Sequence, residues 1–345
     1  MRVAVVGAGV IGVTSALAVK NAFSQFEVRV FADKFSPDTT GDGSAGLWSP
    51  YLLGNTPSDK ISEWGGITHR WLETFWKAGL ASEIGLSLIP IYRVTHDPHG
   101  CHAPNWTKLV YGAHRLSSKE LEKLNEQYKE NYKDGWMFVT YTAEPVRLLP
   151  WLTKRFLEAG GKLRNRKIYA LSELIDDGYD LIINCSGLGA RELVGDNTVI
   201  PIRGQVVRVT APWVMHGFLE DDDHGNYIIP NFDSVVLGGT HQENDFDCTP
   251  RKEDSEFIRN GCCRILPSLK SVEERKKWVG FRPSRPQIRI EAEVIGSPKG
   301  REVMVLEMNV IHNYGHGGSG VTLSWGCALD VLKIIENTKR LKSHL

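Results

Sequence analysis

No run of eighteen consecutive apolar residues occurs in this 345-residue sequence, so it offers no candidate for a transmembrane helix. The basic, apolar and small-residue regions of a secretory signal are also missing, and the first residues read instead as a glycine-broken strand. Net charge is absent. Lys plus Arg and Asp plus Glu number 41 each, so no excess field draws the chain toward nucleic acid or an anionic membrane surface. Cysteine is sparse, with six in all at 101, 185, 248, 262, 263 and 327. None stands in C-x-x-C spacing, and neighbours such as Cys262 and Cys263 bridge poorly, so they read as reduced thiols of an intracellular protein. Repeats and low-complexity linkers are lacking as well. What remains is an ordinary globular composition, 24% charged and 9% aromatic, for which a small molecule is the expected partner.

Glycine is where the sequence speaks. The apolar run Val3 to Val6 is followed by Gly7-Ala8-Gly9-Val10-Ile11-Gly12, a G-x-G-x-x-G turn between a strand and a helix. Gly7 allows the tight turn, Gly9 lets backbone approach a pyrophosphate, and Gly12 lets the helix pack close on the strand. A second apolar strand, Phe26 to Ala32, ends at Asp33. A carboxylate there would bond a ribose 2′-OH and disfavour a 2′-phosphate, which points to FAD or NAD rather than NADP.

Further along, Leu148 to Ile168 has a helical pattern that ends at Gly160-Gly161 and runs into a short strand, extending the first sheet. Asp180 to Cys185 reads as a buried parallel strand, followed by the turn Ser186-Gly187-Leu188-Gly189. Period-two alternation marks Gln205 to Val209, Tyr227 to Pro230, Ser234 to Gly239 and Arg301 to Val310 as strands of a second, substrate-facing sheet. Segment 108–135 reads as polar and helical, with a helix start at Ser117 to Leu121. A second glycine cluster, Gly315 to Gly320, reads as a close-packed loop rich in backbone amides. His312 and His316 stand beside it without a third ligand, and no metal site is expected.

Val310-Ile311-His312-Asn313-Tyr314-Gly315-His316-Gly317-Gly318-Ser319-Gly320 resembles the C-terminal signature of the D-amino-acid oxidase family, which includes D-aspartate oxidases. The opening glycine motif, Asp38-Thr39-Thr40 with Ala45-Gly46-Leu47-Trp48, Asn184-Cys185-Ser186-Gly187, Arg203-Gly204-Gln205 and Gly280-Phe281-Arg282-Pro283 are similar to family segments in the same order. The resemblance implies an α/β fold of the glutathione-reductase type. A Rossmann-like FAD-binding domain (1–50, 140–195 and 300–345) would be interleaved with a mixed, largely antiparallel substrate domain (51–139 and 196–299). It implies FAD as cofactor, contacted by Gly7 to Gly12, Asp33, Lys34, Thr39, Thr40, Gly46, Leu47, Ile168, Ser186 and the loop Gly317, Gly318, Ser319, Gly320, Val321 and Thr322. It also implies a D-amino acid and O2 as substrates. Arg282 and Tyr227 would hold the α-carboxylate and the Gly318 carbonyl would accept from the amine, with a homodimer as an option.

Two departures bear on substrate choice. Relatives selective for acidic D-amino acids carry a second arginine on the loop before the active-site tyrosine or in a G-G-T-x-Q turn. Here the loop reads Leu219-Glu220-Asp221-Asp222-Asp223-His224 and the turn Gly238-Gly239-Thr240-His241-Gln242. The lid tyrosine of oxidases for neutral substrates is missing too, and Ser49 replaces a common glutamine. The acidic run reads either as a solvated face or as an overhang that repels D-aspartate and attracts basic side chains. The expectation is therefore oxidation of neutral, and through the acidic loop basic, D-amino acids. D-aspartate oxidation relying on His241 or His224 is the alternative; a glycine or sarcosine oxidase, or an inactive FAD-binding relative, stands further off. The final Ser343-His344-Leu345 resembles a peroxisomal address, implying an import receptor as partner and a peroxisomal matrix location.

Overall fold

The computed structural model describes residues 1–101, 103–223, 225–295 and 309–343, with side chains described as far as residue 338. In chain order the elements are β1 (Arg2–Val6), α1 (Val10–Ala22), β2 (Glu27–Ala32), α2 (Ser58–Lys77), α3 (Ala81–Ile84), β3 (Leu86–Thr95), β4 (Tyr111–Arg115), α4 (Ser118–Tyr128) and β5 (Asp134–Ala143). They continue with α5 (Pro145–Glu158), β6 (Lys162–Asn165), α6 (Leu171–Asp176), β7 (Leu181–Asn184), α7 (Ala190–Leu193), β8 (Ile200–Val209), β9 (Gly217–Glu220), β10 (Tyr227–Pro230) and β11 (Val235–Gly238). The last are β12 (Gln242–Glu243), α8 (Lys252–Ile265), β13 (Glu274–Glu293), β14 (Val310–His316) and α9 (Gly320–Ser343).

The fold is α/β with a Rossmann-like parallel part, as the sequence leads one to expect. β14, β7, β1, β2 and β6 lie side by side and all parallel, with Val5 opposite Ile183 on one side and Val30 on the other. Strands this apolar are covered on both faces, here by α1 and α5 on one and by the α6 cluster on the other. The expected second sheet is not separate. Among the described residues all strands join one 14-stranded sheet, and the joint is β13. Its first half pairs antiparallel with β8 and its second half with β14, with an irregularity between Ser284 and Arg289. From β8 the sheet runs on through β11, β10, β9, β3, β5 and β4, antiparallel except at β3 with β9.

Two expectations change and a third falls outside the described residues. Within 108–135 only Ser118–Tyr128 is α-helical, closed by a capping box between Ser117 and Glu120, while Tyr111–Arg115 is a strand. That strand is at the sheet edge and mostly exposed, so it carries no apolar alternation to read. The strand expected at Arg301 to Val310 lies outside the described residues up to 308. The strand that is seen, Val310–His316, is parallel to β7 and belongs with the cofactor strands. His312, Gly315 and His316 are therefore strand residues, not loop residues, and Gly320 to Thr322 already form the first turn of α9.

Arg203 on β8 pins the second half of the molecule. Its guanidinium is fully buried and donates to the backbone oxygens of Asp247 and Thr249, to Gln242 and, at 2.6 Å, to the Asp254 carboxylate. Every strong donor is met, and the segment from Gln242 to Arg251 is wrapped around one cation. Arg203→Met would strand the Asp254 charge and both carbonyls, and is expected to cost about 3–5 kcal/mol of unfolding free energy. Urea titration followed by circular dichroism checks this, and an unchanged midpoint would show that the network is replaceable by packing.

Candidate active site

The carboxyl ends of β14, β7 and β1 all face one edge, and the strand order reverses beside β1, the place where a doubly wound sheet opens a crevice. The turn after β1 lies in it. Gly7 has φ of +108°, and a Cβ there would stand 2.3 Å from the Cys185 carbonyl at the end of β7. A Cβ on Gly12 would meet the Gly7 carbonyl at 1.9 Å, so α1 can start tight against the strand only with glycine. Gly9 differs: nothing lies within 4 Å of where its Cβ would be, and it caps α1 with no side-chain bond and no acid in the first turn. That leaves a bare helix N-terminus facing open space, which favours a phosphate. The Ser186 hydroxyl after β7 is buried with no partner. α9 starts alongside, where a Cβ on Gly320 would stand 3.3 Å from Val10 Cγ1, so two helix N-termini converge on the crevice.

The other expected cofactor residues ring this place at different depths. Asp33 and Lys34 follow β2 and are exposed. Thr39 donates its hydroxyl at 2.6 Å to the buried Asp42, which also takes the Thr39 N–H and the Ser36 hydroxyl, so Asp42 shapes the turn that presents Thr40. Gly46, at φ +68°, and Leu47 are tied to the end of β5, and Ile168 is buried after β6. Thr322 accepts from the Ser49 N–H, bringing the first turn of α9 to the 47–51 segment. An elongated ligand with a phosphate-bearing middle fits this arc.

Next to it, on one face of the antiparallel strands, three large side chains lie flat. Arg282 from β13 lies over Gly204 of β8, Tyr227 from β10 over Gly238 of β11, and Trp278 over Gly280 and Gly43. A methyl at Gly204 would sit 2.4 Å from Arg282 Nη1, and one at Gly238 would sit 2.4 Å from the Tyr227 hydroxyl. Arg282 donates to the Thr240 carbonyl at 3.1 Å, and none of the described ion pairs involves it. A half-buried guanidinium with free N–H groups is built to take a planar anion.

Tyr51 completes the face, and the sequence gives no sign of it. Its ring lies 5.9 Å from the Arg282 guanidinium carbon and against Gly318, where a Cβ would meet it at 2.5 Å. Its backbone is clamped by Ser319, which accepts from the Tyr51 N–H at 2.7 Å and donates to its carbonyl at 2.8 Å. Burial raises the Tyr51 hydroxyl above the ordinary tyrosine range, with Arg282 opposing and Tyr227 and Asp221 adding to the rise, so it stays protonated and able to donate. The loop of β9 and β10 lacks a lid tyrosine, and Tyr51 supplies an aromatic ring from another segment. Arg282, Tyr227 and Gly318 thus come together, joined by Tyr51.

Of the remaining expected residues, one borders this cluster: His241 follows Thr240, whose carbonyl accepts from Arg282. His241 is half-buried with Nδ1 3.4 Å from its neighbour Gly239's carbonyl, and His224 lies outside the described residues. Arg285 is paired with Asp196, and Arg289 with Glu291, Glu293 and the Tyr314 hydroxyl. His312 is held between Asn184 and Glu293 and is lowered below the ordinary histidine range by burial, while burial alone takes the partnerless His316 to about 3. Both are neutral. No group of three or more His, Cys, Asp or Glu suited to a metal occurs among the described residues. Arg282→Met is expected to weaken binding of a small aliphatic monocarboxylate by about 100-fold or more, measured by calorimetry, because the anion loses its charge-assisted donors. An affinity unchanged within error would mean that the anion binds elsewhere.

With this geometry in hand, comparisons with known proteins are specific. The family described as FAD dependent oxidoreductase (DAO) matches residues 2–333. The chain is 35% identical over 334 residues to a D-aspartate oxidase of Homo sapiens, covering 97% of this chain and 94% of that protein. It is 33% identical to a D-amino acid oxidase of Dugesia ryukyuensis, covering 98% of each. Among solved structures, a glycine oxidase from Geobacillus kaustophilus shares the fold with a TM-score of 0.77 at 19% identity, over 98% of this chain and 95% of that one. An L-α-glycerophosphate oxidase from Mycoplasma pneumoniae with FAD bound superposes with a TM-score of 0.71 at 15% identity, over 97% and 94%. The bare α1 terminus, the open space over Gly9 and the orphaned Ser186 hydroxyl fit that cofactor. The chain belongs to the DAO family of FAD-dependent oxidoreductases, and FAD is its cofactor.

Proposed function

We propose that this protein oxidises D-amino acids with uncharged side chains to imino acids, which hydrolyse to 2-oxo acids and ammonia. The observation that carries this reading is the convergence of an unpaired Arg282, Tyr227, Tyr51 and the Gly318 backbone on one accessible face beside the cofactor crevice. Arg282 takes the α-carboxylate and the Tyr227 hydroxyl donates to its other oxygen, while the Gly318 carbonyl accepts from the neutral amine. With carboxylate and amine both fixed, only one enantiomer turns its Cα–H, rather than its side chain, toward the crevice. Tyr51 covers the bound substrate and keeps water from the reacting carbon. Bound FAD supplies the two-electron acceptor for the hydride and passes the electrons to O2, which yields hydrogen peroxide. Positioning therefore does most of the work.

Sequence identity does not separate this from acidic selectivity, since relatives named for D-aspartate and for D-amino acids match at 35% and 33%. The site favours uncharged substrates, because neither the loop nor the turn that could carry a second arginine does so. The parallel strands fall within 1–50, 140–195 and 300–345, which supports that set as the cofactor domain and 51–139 with 196–299 as the substrate domain.

Purified holoenzyme is expected to release peroxide from D-alanine and D-methionine and none from their L-forms, measured by a coupled peroxidase assay. Silence with every D-amino acid, in a protein that shows a flavin spectrum, would sink the reading. A peroxide-releasing enzyme also suits a peroxisome, so we extend the proposal to the terminal Ser343-His344-Leu345, of which His344 and Leu345 lie outside the described residues. A fluorescent reporter ending in this segment is expected to enter peroxisomes and, without the three residues, to remain diffuse.

A further inference from the structure

Register places a charged pair on the active-site face. Across β3, β9, β10 and β11 the row Arg93, Leu219, Tyr227 and Gly238 is in direct pairing, and residues opposite one another project from the same face. Arg93 therefore stands two strands from Tyr227, roughly 10 Å at the backbone, within reach of an extended substrate side chain. Its Nη2 meets Asp221 Oδ2 at 2.6 Å, and Asp221 is fixed in turn by its N–H to the Val94 carbonyl at 2.8 Å. The pair is reachable, with side-chain exposures of 22% and 38%. Asp221 also lies within electrostatic range of the Tyr51 hydroxyl.

The rest of the acidic run faces other partners or, at Asp223, solvent. Glu220 is buried under Arg264 and Tyr132 and accepts from the Asn226 N–H, and Asp222 is taken by Thr95 and His96. Asp221 is thus the one acid of the run whose partner stands in the row of Tyr227. We infer that the Arg93–Asp221 pair selects the charge of the substrate side chain, an inference that rests on the D-amino-acid oxidase reading above. Paired, the two charges cancel and the distal wall accepts an uncharged side chain. Remove Arg93, and Asp221 becomes an unpaired anion that draws a basic side chain; remove Asp221, and Arg93 becomes the second cation that an acidic side chain needs.

The test measures kcat/KM for D-methionine, D-lysine and D-glutamate on holoenzyme carrying Arg93→Met, Asp221→Asn, Arg93→Lys, or the exchange R93D/D221R. Calorimetric affinities for pentanoate, 5-aminopentanoate and glutarate are taken in parallel. Arg93→Met is expected to raise the lysine-to-methionine ratio about tenfold, and Asp221→Asn the glutamate-to-methionine ratio about tenfold. Arg93→Lys and the exchange should keep wild-type ratios. If every variant changes all three substrates by the same factor, the pair is only structural and the inference is overturned. Should wild-type protein turn over no D-amino acid, the oxidase reading fails, and the selector is then judged by the affinity ratios alone, which must shift in the same reciprocal way.

Discussion

Three absent Cβ atoms set the geometry of the site. Side chains on a sheet normally stand away from it, and Arg282, Tyr227 and Trp278 can lie along it only because Gly204, Gly238 and Gly280 leave the space beside or beneath them empty. A methyl at Gly280 would come 1.8 Å from the Trp278 ring. Flat side chains have little room to move, so the guanidinium and the phenol are held at fixed height and spacing without any ion pair using up their donors. An arginine left unpaired and half-buried would ordinarily be a cost to folding; here it is the condition for binding an anion.

The same contacts join the cofactor crevice to the substrate face. Trp278 is wedged against Gly43 as well as Gly280, and Arg208 from β8 donates at 2.8 Å to the Ser44 carbonyl, so the 40–47 segment is fastened to the antiparallel strands. From the other side, the Asn55 N–H reaches the Pro286 carbonyl, and Gly317, at φ +52°, packs where a Cβ would lie 1.9 Å from the Leu52 carbonyl. β13 carries Arg282 opposite Ile202 of β8, two residues before Ser284, where its pairing with β14 begins. A shift in either half would move the clamp relative to the crevice, which is how one sheet keeps two functions in register.

What was legible in the sequence was local. The glycine turn with its flanking strand and helix announces itself within a dozen residues, because each glycine has a steric reason that spacing alone reveals. β7 reads from its continuous apolar run. β14 does not, since every residue of it is buried yet His312, Asn313 and His316 are polar, and Gly315 imitates a loop. Tyr51 belongs to no motif and gains its place from Ser319, 268 residues away. Arg93 was equally silent: only the pairing of β3 with β9 puts it in the row of Tyr227, and no pattern along the chain encodes that register. Arg282 owed its role to the resemblance, because an arginine between Phe281 and Pro283 looks like any surface arginine until its neighbours are known to be glycines.

The distribution of charge is what the proposed preference for one carboxylate over two rests on. His312 and His316 are kept neutral by burial, Arg285 and Arg289 are each bound to acids, and Arg208 spends its donors on Asn231, Ser234 and the Gly43–Ser44 carbonyls. Of these described arginines, Arg282 is the one that keeps free donors, with a single bond to the Thr240 carbonyl. It can neutralise the α-carboxylate and nothing more. Any second charge on the ligand must be met at Arg93 and Asp221, which already satisfy each other. The acidic run that looks in sequence like one repelling block is divided by the fold: Glu220 and Asp221 each meet an arginine, Asp222 accepts from Thr95 beside His96, and Asp223 stays exposed. On the reading proposed above, the preference for an uncharged side chain follows from the cancellation between Arg93 and Asp221 rather than from an apolar wall.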